Sequence, residues 1–242
     1  MESIIQEGQE PILSRYKRET LVERLASYNS EDALVVIDID DCVRDSPAKR
    51  MAMLGLLTPA LVLPNICWAF YTAKEIASEV LHGGSIKDAE TASFAYYREY
   101  VLGELSAEER KELAERAVTP LYHGAQDFVG YFPRAFKIIV SRNICEIVDK
   151  TVQELRCNRG YAEQDNKRIK VFDSIRTYDP KRVLIVGDSQ EDAAPISDIQ
   201  AKGVAVDFVY VMKGNNPRRV HPDATISVTR RDFTPLYSLL TG

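Results

Sequence analysis

The sequence predicts an α/β protein with a parallel sheet as its core and an inserted all-helical domain. After about residue 130, short runs rich in β-branched residues alternate with helical segments, as in parallel strands joined by crossover helices. A similar run at 33–37 is instead followed by about eighty residues without a strand pattern. We therefore predict a core of residues 1–46 and 128–242, interrupted by a helical domain at 47–127.

Local patterns predict the individual elements. The first thirty residues place Ile12, Leu21 and Leu25 on a loose apolar face, which favours a helix. The unbroken apolar run at 33–37 is typical of a strand buried on both faces. Ser106 and Glu109 have the spacing of a capping box, which predicts a helix start. Further strands are predicted at 136–140, 182–186, 208–212 and 224–228, and further helices at 144–155, 165–178 and 189–203.

Residues 51–70 carry no charge and are about as long as a membrane span requires. Pro59, Pro64 and Asn65 argue against a span, because the backbone groups that they free would need partners in lipid. We expect two short buried helices joined near Pro64 and no association with a membrane. An apolar surface on this domain would be a candidate homodimer interface.

Composition excludes several classes of protein. The net charge of −5 and the pI near 5.4 argue against a nucleic-acid-binding protein, which usually carries a basic surplus. The N-terminal residues lack the apolar core of a signal peptide, so a cytoplasmic location is expected. The cysteines form no C-x-x-C pair, which favours reduced thiols at Cys42, Cys67, Cys145 and Cys157.

Polar side chains follow three of the predicted core strands. Asp38 and Asp40 follow the first strand, Ser141 follows the second, and Asp188 follows the third, with Asp192 four residues later. Ligands of open parallel sheets bind beyond the carboxyl ends of the strands, so these residues are expected to converge. Several close carboxylates cannot all stay ionised without a cation, and Mg²⁺ prefers such oxygen ligands. The sequence therefore predicts a Mg²⁺ site, with Asp38, Asp40, Asp188 and Asp192 as the candidate metal-binding residues.

This arrangement predicts phosphoryl chemistry. Asp38 can attack phosphorus to form an aspartyl-phosphate, and Asp40 can act as general acid and then general base. Ser141 can donate a hydrogen bond to a phosphate oxygen, and Lys167, before the third strand, can balance charge. Lys170 lies one turn further along the same predicted helix and is a rival for this role.

Two arginines follow the catalytic motifs closely. Arg44 comes after the first motif and Arg142 after Ser141, and either could read a carboxylate or a second phosphate on the substrate.

These motifs together resemble the four motifs of the haloacid dehalogenase superfamily. Motif one falls on Asp38 and Asp40, motif two on Ser141, motif three on Lys167, and motif four on Asp188 and Asp192. The resemblance implies a Rossmann-like fold and Mg²⁺ held by Asp38, by the backbone carbonyl of Asp40 and by Asp188. The helical insertion resembles the cap of this superfamily, loosely that of its phosphoserine-phosphatase-like members. Asp41 and Cys42 depart from the usual motif, in which a small residue and then Thr or Val follow the second aspartate.

The predicted function is Mg²⁺-dependent hydrolysis of a small phosphorylated metabolite through an aspartyl-phosphate on Asp38. One alternative is transfer to an acceptor other than water, as in a mutase or phosphotransferase. Another is a non-catalytic regulatory or binding protein of the same fold, which the Asp41–Cys42 pair and the apolar segment support.

Overall fold

The computed structural model describes residues 2–4, 12–56, 59–82, 86–212, 221–228 and 231–242, and it confirms the predicted α/β fold. The chain divides into two compact units: Met1–Asp45 with Thr119–Gly242, and Ser46–Val118. Residues 119–127, which the sequence placed in the helical domain, belong to the first unit. Tyr122 N donates to Val43 O at 2.7 Å and Thr119 Oγ1 donates to Asp45 O at 2.9 Å, which ties this segment to the end of the first core segment.

The first unit is built on a sheet that has eight strands within the described residues, in the order β1-β2-β8-β7-β6-β3-β4-β5. The strands from β8 to β5 in this order are mutually parallel, whereas β1 and β2 add to one edge as antiparallel strands. The bounds are β1 Glu2–Ile4, β2 Ile12–Ser14, β3 Ala33–Ile37, β4 Phe136–Val140, β5 Arg159–Tyr161, β6 Arg182–Gly187, β7 Ala205–Val211 and β8 Ile226–Val228.

Helices connect these strands and make up the second unit. In chain order they are α1 Arg18–Ala26, α2 Pro47–Leu56, α3 Pro59–Leu81, α4 Ile86–Tyr96, α5 Ala107–Ala117, α6 Ala125–Gly130, α7 Cys145–Leu155, α8 Lys167–Tyr178, α9 Gln190–Ala193, α10 Ile196–Ala201 and α11 Thr234–Thr241. A π-helical segment, Tyr97–Leu102, follows α4 directly.

The central strands lie where the sequence predicted them. Strand β3 is buried along its whole length because β4 and β6 flank it as parallel neighbours. Its residues Leu34 and Val36 pack with Ile138, Ile185 and Phe208 of the neighbouring strands in the hydrophobic core. Burial of such aliphatic strands supplies the main favourable term in folding. The central sheet therefore gives a fixed frame for the residues that follow each strand.

The N-terminal prediction was wrong for Ile12. The segment Ile12–Ser14 is strand β2, and the helix begins only at Arg18. Leu13 pairs with Ser227 and Ser14 with Ile226 of β8, at the far end of the chain. A pattern confined to the first thirty residues cannot reveal a pairing partner near the other end of the chain. Strand β5 was missed for a different reason: it has only three residues, Arg-Gly-Tyr, which carry no apolar run.

The predicted helix at 189–203 is two helices, α9 and α10. Pro195 immediately precedes α10 and occupies its N-cap position. Proline has no N–H to donate and is tolerated best at the start of a helix, which agrees with the end of α9 and the start of α10 around Pro195. Helix α11 was not predicted.

The helical unit corrects the expectation for the apolar segment. Helix α2 ends at Leu56, and helix α3 begins at Pro59 and continues through Pro64. Asn65 Nδ2 donates to Leu61 O at 2.8 Å, an additional bond in the turn that contains the proline. The segment is not wholly buried either, since Leu63 is 69% and Phe70 74% exposed. In the part of the chain that the structure describes, no helix is long and apolar enough to cross a membrane.

Other contacts show how the helical unit is held together. Trp68 of α3 donates its indole N–H to the carbonyl oxygen of Ser93 in α4 at 2.9 Å and packs edge-on against Tyr97. The predicted capping box is confirmed, since Ser106 and Glu109 exchange bonds at the start of α5.

Candidate active site

Three buried carboxylates meet at the carboxyl edge of the sheet. Asp38 follows β3 and donates its backbone N–H to Val186 O at 3.0 Å, so it remains anchored beside β6. Asp188 follows β6, and Asp192 lies in α9. One carboxylate oxygen from each of the three lies within 4.8 Å of the other two, and all three residues are buried. The convergence expected from the parallel topology is therefore present.

Lys167 is the cation of this cluster. It is the first residue of α8, and its Nζ lies 2.7 Å from Asp38 Oδ1 and 3.0 Å from Asp192 Oδ1. The rival Lys170 points elsewhere: its Nζ is 3.9 Å from an oxygen of Asp173 and lies over the ring of Tyr161. Of the two lysines, the structure thus places Lys167 beside the predicted nucleophile.

Both oxygens of Asp192 accept hydrogen bonds from the protein. Oδ1 accepts from Lys167, and Oδ2 accepts from Ser189 Oγ at 2.6 Å and from the backbone N–H groups of Asp188 and Ser189 at 3.2 Å. The Ser189–Asp192 pair is a capping box for α9. Gly187 makes room for this arrangement, since a Cβ there would lie 2.4 Å from Asp192 Cβ. These bonds place Asp192 as a support for Lys167.

Burial and charge shift the pKa values of these groups. Burial raises the pKa of Asp38 well above its usual value; Lys167 opposes this shift, and the charges of Asp192 and Asp188 add to it. Burial alone would lower the pKa of Lys167, but Asp192 and Asp38 outweigh it and raise the pKa. The pKa of Asp192 is lowered because Lys167 and Ser189 together outweigh its own burial.

The donor set fits Mg²⁺. Within the part of the chain that the structure describes, the three carboxylates of this group share one ammonium group, so its acids outnumber its cation. Burial is the largest cause of the raised pKa of Asp38, and the charges of Asp192 and Asp188 add to it. Asp38 and Asp188 offer hard oxygen ligands, which Mg²⁺ prefers, and a divalent cation would neutralise the negative charge of the group.

A second group joins Asp40 to Ser141. Asn143 Nδ2 donates hydrogen bonds to Asp40 Oδ2 and to Ser141 Oγ, the latter at 3.1 Å. Ser141 Oγ also accepts from Asn143 N at 3.1 Å, and its own hydrogen is left to donate. Sequence reasoning missed Asn143; the signal available was an amide two residues after the motif-two serine.

The unusual residues after Asp40 have structural partners. Asp41 adopts a positive φ of 56° and lies 3.5 Å from Arg231 Nη2, which offsets its charge. The same arginine binds Asp45 at 2.6 Å and donates to Tyr122 OH at 2.6 Å. Cys42 is buried, and burial raises the pKa of its thiol well above the usual value.

The structure contradicts a substrate-binding role for Arg44. Its side chain is fully buried, donates to Thr119 O at 2.8 Å and pairs with Glu154, so its charge is used within the core unit. Arg142 is partly exposed, and its Nη2 lies 3.4 Å from Glu191 Oε2. The arginine hypothesis survives only for Arg142.

Comparison with known proteins confirms the class of fold that this site and sheet define. No protein-family profile and no curated protein matches the sequence. Among solved structures, the chain is similar to a substrate-bound phosphoserine phosphatase, with a TM-score of 0.54 and 13% identity over 85% of this chain and 96% of the other. The fold is that of the haloacid dehalogenase-like proteins, as the motifs predicted.

Two further structures agree. A haloacid dehalogenase-like hydrolase from Burkholderia xenovorans LB400 is 13% identical with a TM-score of 0.53, over 87% of this chain and 98% of that one. A phosphoserine phosphatase described as an analogue of the phospho-aspartyl intermediate is 14% identical with a TM-score of 0.52, over 85% and 97% of the two chains. At these identities the likeness establishes the fold, and the chemistry must be argued from this chain's own residues.

Proposed function

We propose that this protein is a Mg²⁺-dependent phosphatase that hydrolyses a small phosphorylated metabolite through an aspartyl-phosphate on Asp38. One observation carries the proposal: Lys167 Nζ lies 2.7 Å from the buried Asp38, with two further buried acids beside it. A buried carboxylate that is crowded by other acids and held by a lysine is typical of a reactive site.

The chain's own residues supply the first half-reaction. Lys167, held by Asp192, favours the ionised form of Asp38 and fixes its position, so that its oxygen can attack phosphorus. The Asp38–phosphorus bond forms while the bond from phosphorus to the leaving oxygen breaks. Asp40 gives its proton to that oxygen, and the product leaves as an alcohol.

The second half-reaction regenerates the enzyme. Asp40, now ionised, takes a proton from water, whose oxygen attacks phosphorus as the bond to Asp38 breaks. Inorganic phosphate is released, and Asp38 and Asp40 return to their initial states. Ser141 Oγ only accepts hydrogen bonds from Asn143. Its hydroxyl hydrogen can therefore be donated to a phosphate oxygen.

Two of the three clustered acids, Asp38 and Asp188, are suited to bind Mg²⁺. Asp38 and Asp188, with the backbone carbonyl of Asp40, would hold the ion, which neutralises charge on the phosphoryl group when it is bound. Asp192, whose oxygens both accept protein hydrogen bonds, would position Lys167.

A screen for released phosphate tests the proposal. Wild-type protein is assayed with Mg²⁺ against p-nitrophenyl phosphate and a panel of small phosphomonoesters, beside Asp38→Asn and the control Asp207→Asn. Asp207 is a buried acid outside the site, bonded to Arg24 and Tyr28. We expect Asp38→Asn to lower turnover by more than about 10⁴-fold, as loss of a catalytic nucleophile does, whereas Asp207→Asn stays active.

Product analysis separates the outcomes. Transfer of the phosphoryl group to water alone, seen as release of inorganic phosphate, supports the phosphatase. Transfer to an added alcohol would point to a phosphotransferase instead. Activity that survives in Asp38→Asn, or that does not depend on a divalent cation, contradicts the proposal.

A further inference from the structure

Asn143 is a buried amide that connects two residues of the proposed reaction. It is fully buried, its Nδ2 donates to Asp40 Oδ2, and the same Nδ2 donates to Ser141 Oγ at 3.1 Å. A buried amide N–H that lost its acceptors would be left unpaired away from water, which is unfavourable, so the fold favours these two contacts.

The backbone around Asn143 is fixed independently of these side chains. Ser141 N donates to Tyr161 O at 3.0 Å, which extends the pairing of β4 with β5. In return, Glu163 N donates to Asn143 O at 2.9 Å and Gln164 N donates to Ser141 O at 3.0 Å. The loop after β5 therefore holds the amide in place, and Asp40 meets a donor whose position is set from outside the first motif.

The chemistry of the amide limits how Asp40 can carry a proton. An amide NH₂ can only donate, so it must meet a lone pair on Asp40 Oδ2. The contact favours a neutral Asp40 that carries its proton on Oδ1, because a carbonyl oxygen accepts a hydrogen bond better than a protonated oxygen does. The contact thus selects which oxygen delivers the proton and fixes the rotation of the carboxyl group.

We propose that Asn143 is a positioning residue that orients Asp40 for proton transfer to the leaving group. The proposal rests on the proposed phosphatase function and deepens it. In the first step the proton on Asp40 Oδ1 passes to the leaving oxygen as the phosphorus–oxygen bond breaks, and in the second step the same carboxylate takes a proton from water. A misaligned Asp40 hinders the first step only when the leaving oxygen needs that proton.

The leaving group therefore provides the test. An alkyl alcohol is a poor leaving group that needs protonation, whereas p-nitrophenolate leaves without it. We expect Asn143→Ala to lower kcat/KM for the alkyl phosphomonoester that wild type hydrolyses best by about 10²-fold, the scale of general acid catalysis. With p-nitrophenyl phosphate the loss should stay within about 5-fold, since general acid catalysis contributes little there.

Ser141→Ala is the matched control. Ser141 would bind the phosphoryl group that both substrates share, so its loss should lower both rates alike. Asn143→Ala also removes a partner of Ser141, but that effect is equal for the two substrates and cancels from their ratio. A change in the ratio of the two rates therefore reports on Asp40 alone.

Two more variants control for misfolding and for effects that do not depend on Asp40. Asn143→Ser keeps a small polar side chain that is too short to reach Asp40, and it replaces Asn143→Ala if that variant does not fold. In an Asp40→Asn background, Asn143→Ala should have no further effect on the ratio, because residues that act as a unit are not additive.

The outcomes are separable. Equal losses on both substrates, or a ratio that still changes in the Asp40→Asn background, would overturn the role of Asn143 while leaving the phosphatase intact. A wild type without Mg²⁺-dependent phosphate release on any substrate refutes the proposed function and this inference with it.

Discussion

Two clusters of buried charge in the core unit look alike and differ in their balance. In one, Asp207 of β7 accepts from Arg24 Nε at 2.6 and 2.8 Å and from Tyr28 OH at 2.7 Å. In the other, Lys167 is shared between Asp38 and Asp192, with Asp188 alongside. The first cluster has one acid and one base, whereas the second has three acids and one base.

The difference teaches how a structural ion pair can be told from a reactive site. Asp207 has a matching charge and hydrogen bonds for its oxygens, which is what a buried carboxylate needs to be stable. Asp38 shares one lysine with Asp192, and its pKa is raised mainly by burial and further by the charges of Asp192 and Asp188. A surplus of buried negative charge lowers stability and is retained where a cation or substrate offsets it.

The largest expected difference between the two clusters is in the loss of activity when the cation of each one is removed. Lys167→Met should lower kcat/KM by about 10³-fold, since a preorganised charge at the reacting group is lost. Arg24→Met removes the cation of the balanced cluster and should leave activity within about 3-fold, although it destabilises the fold. Circular dichroism confirms that both variants are folded. Similar activities in Lys167→Met and Arg24→Met would contradict the assignment of one cluster to the reaction and the other to structure.

Magnesium should stabilise only the cluster with surplus charge. At a concentration about 100 times its dissociation constant, Mg²⁺ should raise the free energy of unfolding by about 2.7 kcal/mol through mass action. Asp188→Asn should lose this stabilisation, whereas Asp207→Asn should keep it. Chemical denaturation with and without Mg²⁺ measures the effect, and an equal gain in both variants would argue against a metal at Asp188.

The smallest predicted effect concerns the free energy of unfolding of the metal-free protein, which two conservative substitutions should change in opposite directions. Asp207→Asn should lower the free energy of unfolding by about 2 kcal/mol, because charged hydrogen bonds to Arg24 and Tyr28 are weakened. Asp188→Asn should raise it by about 1 kcal/mol, because it relieves repulsion at a functional site. Urea denaturation in the presence of a chelator compares them. Destabilisation in both would mean that Asp188 is an ordinary structural acid.

The helical unit shows where sequence reasoning was incomplete. Pro64 was expected to end a helix, yet α3 runs through it. A proline costs one hydrogen bond and some steric strain, and the packing of a long helix can outweigh that cost. The contact between Trp68 and Ser93 is part of that packing and depends on residues twenty-five positions apart, which local propensity does not register.

For the candidate site, the sequence predicted the residues that follow the strands and left their partners open. Lys167 and Lys170 could not be separated on the sequence, because helical phase is uncertain until the start of α8 is fixed. Arg44 was misread as a substrate-binding residue, because burial depends on the surrounding fold and not on proximity to a motif. Asn143 was missed because its partner Asp40 lies 103 positions away in the chain.

The sequence by itself determined the order of the central strands of the sheet and the acids that follow them, from which the proposed chemistry was inferred. Alternating patterns and residue types are local, and parallel strands bring their carboxyl ends to one edge whatever the details. Only the tertiary structure decided which lysine meets Asp38, which amide holds Asp40, and that Arg231 offsets Asp41. These contacts join segments that are distant in the chain. They depend on distances of a few ångströms, which the composition of the sequence and the spacing of its motifs do not specify.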